Sequence, residues 1–360
     1  MTTRVSIEGD KFLINGEPTY AGREFEGVPI EGQLFNTRMV QAIFDDANPE
    51  TAKRWLYPDT GVWDPERNVR EFLDALPLYR SHGITAITVN LQGGMPVYKT
   101  ERNQPWENSA FTPEGELKPG YMERLRRVID ACDELGIVVI VGYFYIAQTR
   151  LLANEAAVLR ATDNATEWLL ATGRENILVE IANEIDIPLF HHDVLTPARV
   201  PELIERVQQM SLDGRRLLVS ASVTWLPFAE AANIELNLDP ASFEIRAAMA
   251  EAKVDDVFRA SDYILFHTNM LDARNTQAVI DLVKSHPAVT SRLRPLCINE
   301  DGTAVTNLDA AARSGIGWGY YDQGHKNDYV EGFQSPPVNW GFSTEEKRAF
   351  FGRVKEITGA

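Results

Sequence analysis

The sequence has two cysteines in 360 residues, Cys132 and Cys297. Both sit among apolar neighbours, one in helical and one in strand-like sequence, which suits buried thiols and not a disulfide framework. No apolar run approaches the roughly 20 residues of a membrane-spanning helix. Met1-Thr2-Thr3-Arg4 leads into strand-like sequence with no apolar leader segment, so a cytoplasmic location is expected; a leader already removed would leave the same start. Positive charge is in short supply, with 35 Lys and Arg against 52 Asp and Glu and a formal charge of −17. That balance argues against nucleic acid and anionic membranes as partners. Gly-x-Gly-x-x-Gly, P-loop and Gly-x-Ser-x-Gly patterns are missing, so no nucleotide cofactor and no serine-nucleophile elbow is expected. Histidine is scarce, six in all. Its one local cluster, His191-His192-Asp193, lies in irregular sequence where adjacent side chains seldom converge on one ion, and no metal site is expected.

What the sequence does have is a regular alternation of short apolar strands and helical patterns, in a chain that is 44% hydrophobic. Residues 1–17 read as a small N-terminal β-hairpin, with turns at Glu8-Gly9-Asp10 and Asn15-Gly16. Such a piece would close the bottom of a barrel. Strands are expected at 19–22, 84–90, 137–143, 176–184, 216–222, 263–267, 293–299 and 315–318. Helices are expected at 65–82, 120–135, 148–172, 197–211, 276–285 and 308–313. Asp64 and Pro65 open the first of these helices and Gly83 follows it. Ser343-Thr344-Glu345-Glu346 reads as a capping box that opens a last helix. Eight strands too apolar to face water, each followed by helical sequence, give parallel α/β structure. The expected fold is a (β/α)₈ TIM barrel over residues 18–360, with the hairpin packed on it as part of one domain.

The segment 25–64 is long and aromatic, with Phe35, Phe44, Trp55, Tyr57 and Trp63. It suits either a loop packed on the barrel rim or a wall of a substrate cleft. A second aromatic loop follows the second strand and carries Tyr98, Trp106 and Phe111.

Two strands end alike. Asn176-Ile177-Leu178-Val179-Glu180-Ile181-Ala182-Asn183-Glu184 and Arg294-Pro295-Leu296-Cys297-Ile298-Asn299-Glu300 each carry Asn-Glu to the tip. In a (β/α)₈ barrel the C-terminal strand tips build the site. A carboxyl at each of two tips is what glycoside hydrolysis requires, one to protonate the leaving oxygen and one to attack or to activate water. Glu180 shares the inward face with Glu184 by period-two alternation, and an inward Glu needs a cationic partner. Arg23, beyond the tip of the expected first strand, is the candidate for it, or for a contact with Glu300.

These features resemble clan A of the glycoside hydrolases, the retaining TIM-barrel enzymes, and within it the cellulase-like, family-five-like members. The resemblance spans the barrel and rests most specifically on the tips of strands four and seven. It implies Glu184 as acid/base, Glu300 as nucleophile and Asn183 as a donor to the sugar 2-hydroxyl. Phe266-His267-Thr268-Asn269 ends strand six where many members carry His-x-Tyr, so Asn269 stands at the Tyr position beside His267. Trp318, in Gly317-Trp318-Gly319-Tyr320-Tyr321-Asp322, resembles the indole platform under the reactive sugar. Asn90, Tyr145 and Trp225, together with Tyr143 and Ser222, are further candidates at or beyond strand tips. The expected activity is retaining hydrolysis of a β-linked saccharide or glycoside. A transglycosylase with the same residues and a barrel that binds carbohydrate without cleaving it are the alternatives.

Overall fold

The computed structural model describes residues 2–96, 101, 104–234, 249, 252–324, 326 and 328–360. Tyr98 and much of the segment between strands five and six lie outside them. Eight parallel strand positions form the barrel: Asn36–Arg38, Ala86–Asn90, Val138–Tyr145, Ile177–Asn183, a fifth split into Leu218–Ser220 and Ser222–Val223, Ile264–His267, Leu296–Glu300 and Gly319–Tyr320. The first half of strand five pairs with strand four, and its second half pairs with strand six. Strand eight pairs with strand one, Gly319 beside Asn36. A parallel bridge from Cys297 to Gly317 completes the ring between strands seven and eight.

Strand three is buried at all eight positions, which is why it reads as one apolar run with no alternation. Two packed regions divide the strand residues. Ala86, Val138, Ile140, Leu178, Leu265 and Cys297 form a cluster with Phe12 of the N-terminal sheet. Their neighbours Ile87, Val139, Val179, Phe266 and Ile298 pack in the cluster that includes the helices. The N-terminal piece is a three-stranded sheet of Val5–Glu8, Lys11–Ile14 and Glu17–Pro18. Its Phe12 ring meets Tyr263 edge-on at 5.7 Å, and Val5 N–H donates to the Glu175 carbonyl at 2.9 Å. It therefore plugs the foot of the barrel and leaves the other end to the site.

The local signals act where their chemistry is available. Asp64 accepts from the backbone N–H of Glu66 and Arg67 and opens Pro65–Arg80. Asn154 accepts from Ala157 N–H and starts Glu155–Ala171. The preceding Ile146–Leu151 is a separate 3₁₀ turn, so the single helix expected over 148–172 is divided at its cap. The last helix, Glu345–Thr358, is capped by Thr344, which accepts from Lys347 N–H. The third helical position is thus a lysine, and the reciprocal glutamate of a capping box is missing.

Strand one is corrected. Residues 19–22 are turns, and the first barrel strand is Asn36-Thr37-Arg38. The aromatic segment 25–64 contains that strand, and Phe44 and Trp55 pack with Trp106 in a buried cluster beside Trp63. These aromatic side chains after the strand pack on one another at the barrel rim. Cys132 and Cys297 are buried free thiols. No described helix is long and apolar enough to cross a membrane.

Candidate active site

Strand four ends at Asn183, and Glu184 turns the chain with φ +53°. A left-handed glutamate is unfavourable by itself, and the structure around it must hold it. Ser222 does so, its hydroxyl oxygen accepting from Glu184 N–H at 3.0 Å and its carbonyl from Ile185 N–H at 3.0 Å. Asp186 continues the lock by accepting from Thr224 N–H at 2.9 Å.

At strand seven the register against strand six shifts between Phe266 and His267, so His267 lies opposite Glu300 and not Asn299. A bulge of this kind re-aims side chains at a barrel rim. Here it sets His267 against both carboxylates. Its Nδ1 lies 2.9 Å from a Glu184 oxygen and 3.8 Å from a Glu300 oxygen. One oxygen each of Glu184 and Glu300 and one ring nitrogen of His267 lie within 4.8 Å of one another.

The two carboxyls differ in surroundings. Burial pushes Glu184 up to about 7, with Arg38 opposing and Glu180 adding to the rise. Glu300 is also raised by burial, but Arg38, His267 and Asn269 all pull the other way. Asn269 Nδ2 donates to Glu300 at 2.8 Å, so an amide makes the contact for which the resemblance to clan A implies a tyrosine hydroxyl. Arg38 pairs directly with Glu300 through Nε. Glu300 thus has two direct donors to its charged form. His267 is buried and pulled below its ordinary range by desolvation, which favours a neutral imidazole.

Arg38 was not singled out in the sequence and is the hub of the site. Besides Glu300 it reaches Glu180 at 3.5 Å and donates to the Asn183 side-chain oxygen. Burial works against its charge, but Glu300 and Glu180 outweigh that and raise its pKa. It supplies the cation that the inward Glu180 requires. Arg23 does not take that place: it is exposed and donates to the Gly359 carbonyl at 3.2 Å. The trio of Glu184, His267 and Glu300 has the composition of a metal site. The guanidinium on Glu300 already supplies the positive charge there, so the donor set fits a cation poorly.

Trp318 is the second correction. It is 1% exposed and stacks on Phe350 of the last helix at 5.0 Å. Tyr320 meets the same phenylalanine at 4.5 Å. Both side chains point to the helix layer, which by alternation turns Tyr321 toward the lumen. Burial, then the neighbouring Glu300, Tyr145 and Glu184, push the Tyr321 phenol well above its usual range. Tyr321 is therefore the strand-eight aromatic at the site. We expect Trp318→Ala to lose about 3–5 kcal/mol of stability, as for a core tryptophan, while the surviving protein keeps its kinetic constants. Thermal melting read beside steady-state kinetics checks this, and an unchanged Tm with a raised KM would return Trp318 to the platform.

Tyr145 is brought to the site: burial and then Glu300 and Glu184 raise its phenol. Asn90 is buried at the end of strand two, and neither atom of its amide finds a partner among the described residues. Trp225 acts from behind, its indole N–H donating to the Asn269 carbonyl at 2.9 Å. Tyr143 points away and meets Thr166 on a helix at 3.1 Å.

No family model and no curated protein matches the sequence. Solved structures do. The chain resembles the endo-1,4-β-mannanase of Rhizomucor miehei at TM-score 0.56 and 12% identity, over 99% of this chain and 100% of the other. Barrel architecture is shared. The β-1,4-D-mannanase of Cryptopygus antarcticus gives TM-score 0.56 and 12% identity over 98% and 95% of the two chains. The β-mannanase of the blue mussel Mytilus edulis gives 0.52 and 11% over 99% and 97%. At these identities the likeness establishes the TIM-barrel fold, in agreement with the closed ring of strands described above.

Proposed function

We propose that the protein is a retaining glycoside hydrolase acting on a β-linked saccharide or glycoside. The observation that carries this reading is the pair of strand-tip carboxyls with oxygens within 4.8 Å of each other in unequal surroundings. Glu184, raised to about 7 mainly by burial, suits a proton donor. Glu300, held by Arg38 and the Asn269 amide, suits a nucleophile. In the first step Glu300 attacks the anomeric carbon and the bond to the leaving oxygen breaks, that oxygen taking the proton of Glu184. In the second, Glu184 takes a proton from water, whose oxygen displaces Glu300 from the sugar. Asn183, its side-chain oxygen occupied by Arg38, has its amide N–H groups left to donate to the sugar 2-hydroxyl, a contact that strengthens in the transition state. The barrel shared with β-mannanases supports a β-linked substrate.

The carboxyl spacing has a stereochemical consequence. Inverting enzymes hold their carboxyls about 6.5–9.5 Å apart to admit a water, and retaining enzymes about 5–5.5 Å. The first product formed should therefore keep the anomeric configuration of the substrate, read by proton NMR before mutarotation. An inverted first product would make Glu300 a general base and overturn the double displacement.

A further inference from the structure

On the side of strands eight, one, two and three, the loops are joined by a chain of buried side-chain amides. Gln334, in the segment after strand eight, donates to the Arg38 carbonyl at 3.3 Å, and its own carbonyl accepts from Gln41 at 2.9 Å. Gln41 accepts from Asn108 of the strand-two loop at 3.2 Å. Asn108 N–H donates to Gln148, just beyond strand three, at 3.0 Å. These four residues are between 0% and 2% exposed. Above them Gln323 accepts from the Tyr321 hydroxyl and donates to the Met95 carbonyl at 2.5 Å, which ties the loops after strands eight and two together across strand one.

A cleft that accommodates several sugars in a row offers them exposed polar groups. Here Gln41, Asn108, Gln148 and Gln334 are bonded to one another or to backbone groups and sealed from solvent. The start of the strand-two loop also lies flush on its neighbours. Gly93 and Gly94 have φ of +82° and +100°, and a Cβ there would overlap the Tyr145 ring and the Gln41 amide.

The direction of the substrate follows from the proton donor. Glu184 is on strand four and must stand next to the leaving oxygen, so the leaving group lies over the side of strands four to six. The glycone lies against the amide wall. Resting on the assignment of Glu184 and Glu300 above, we infer that the wall closes the glycone end of the cleft, and that the enzyme releases one or two sugars from a chain end and does not cut within chains.

The experiment uses 4-nitrophenyl β-glycosides with glycones of one to four sugars in the manno, gluco, galacto and xylo series, with chromatography of the sugar released. The expected result is release of glycones of one or two sugars only, with kcat/KM about tenfold or more above that for release of a trisaccharide. Release of trisaccharide or longer glycones at comparable rates overturns this inference and leaves the hydrolase reading standing. Absence of turnover in every series, or turnover that survives in Glu300→Ala, rejects the hydrolase reading and this inference with it.

Discussion

Glu300→Ala should lower kcat by about three orders of magnitude or more, because no glycosyl-enzyme can then form. The fold should tolerate the change unequally. Arg38 would lose one carboxylate but keep Glu180 at 3.5 Å and the Asn183 oxygen, so its buried charge is not stranded. Removing one partner of a fully isolated buried pair costs about 3–5 kcal/mol, and the loss here should be smaller. Azide added to the variant should restore turnover and yield the glycosyl azide of opposite anomeric configuration, since a small anion can occupy the space left by the carboxylate. Near-native activity in Glu300→Ala would remove it from the nucleophile role.

The second large effect is expected at Glu184. The acid form is required for the first step, and burial sets its pKa at about 7. Activity on substrates with poor leaving groups should therefore fall as pH rises through about 7. Glu184→Gln should abolish that basic limb and slow poor leaving groups by about two orders of magnitude more than activated aryl glycosides. The substitution should affect stability in the opposite sense to activity. A carboxyl whose folded pKa is raised binds more protons folded than unfolded, so it lowers stability progressively as pH climbs from its unfolded value to about 7. The glutamine variant, which carries no charge there, should melt higher than the parent at pH 8. Equal losses on both substrate types with the basic limb intact would exclude Glu184 as the acid.

The parts of this molecule that could be read from its sequence are those where side-chain pattern and burial coincide. Strands three and four are long apolar runs, and their order and type are visible at once. The tips of strands four and seven are equally visible, because each of those two strands leads into Asn-Glu. Strand one fails on the same criterion. Asn36-Thr37-Arg38 is a barrel strand made of polar residues, all buried, and its reason for being polar is the site itself. Arg38 was hidden there, while Arg23 followed a turn that resembles a short strand. Strand eight fails by register. Its position is shifted along the chain from the expected 315–318 to Gly319–Tyr320, and parity then decides which aromatic faces inward. Trp318 and Tyr321 differ by an odd number of residues, so they face opposite ways. A bulge such as the one at His267 depends on the neighbouring strand and leaves no local signal. The amide wall is equally silent, because each glutamine by itself reads as an ordinary loop residue.

The seam between strands one and eight has a consequence for how the molecule comes into being. Strand eight pairs with strand one through Gly319 and Asn36, and Arg38 of strand one meets Glu300 of strand seven. These are contacts between opposite ends of the chain, and loop-closure entropy must be met before they form. Strands two, three and four, by contrast, join neighbours in sequence order. On a ribosome the early strands can assemble while Arg38 still lacks Glu300 and strand one still has an unpaired edge. The guanidinium that organises the finished site therefore meets Glu180 and Asn183 among the early strands and Glu300 only when the late ones are in place.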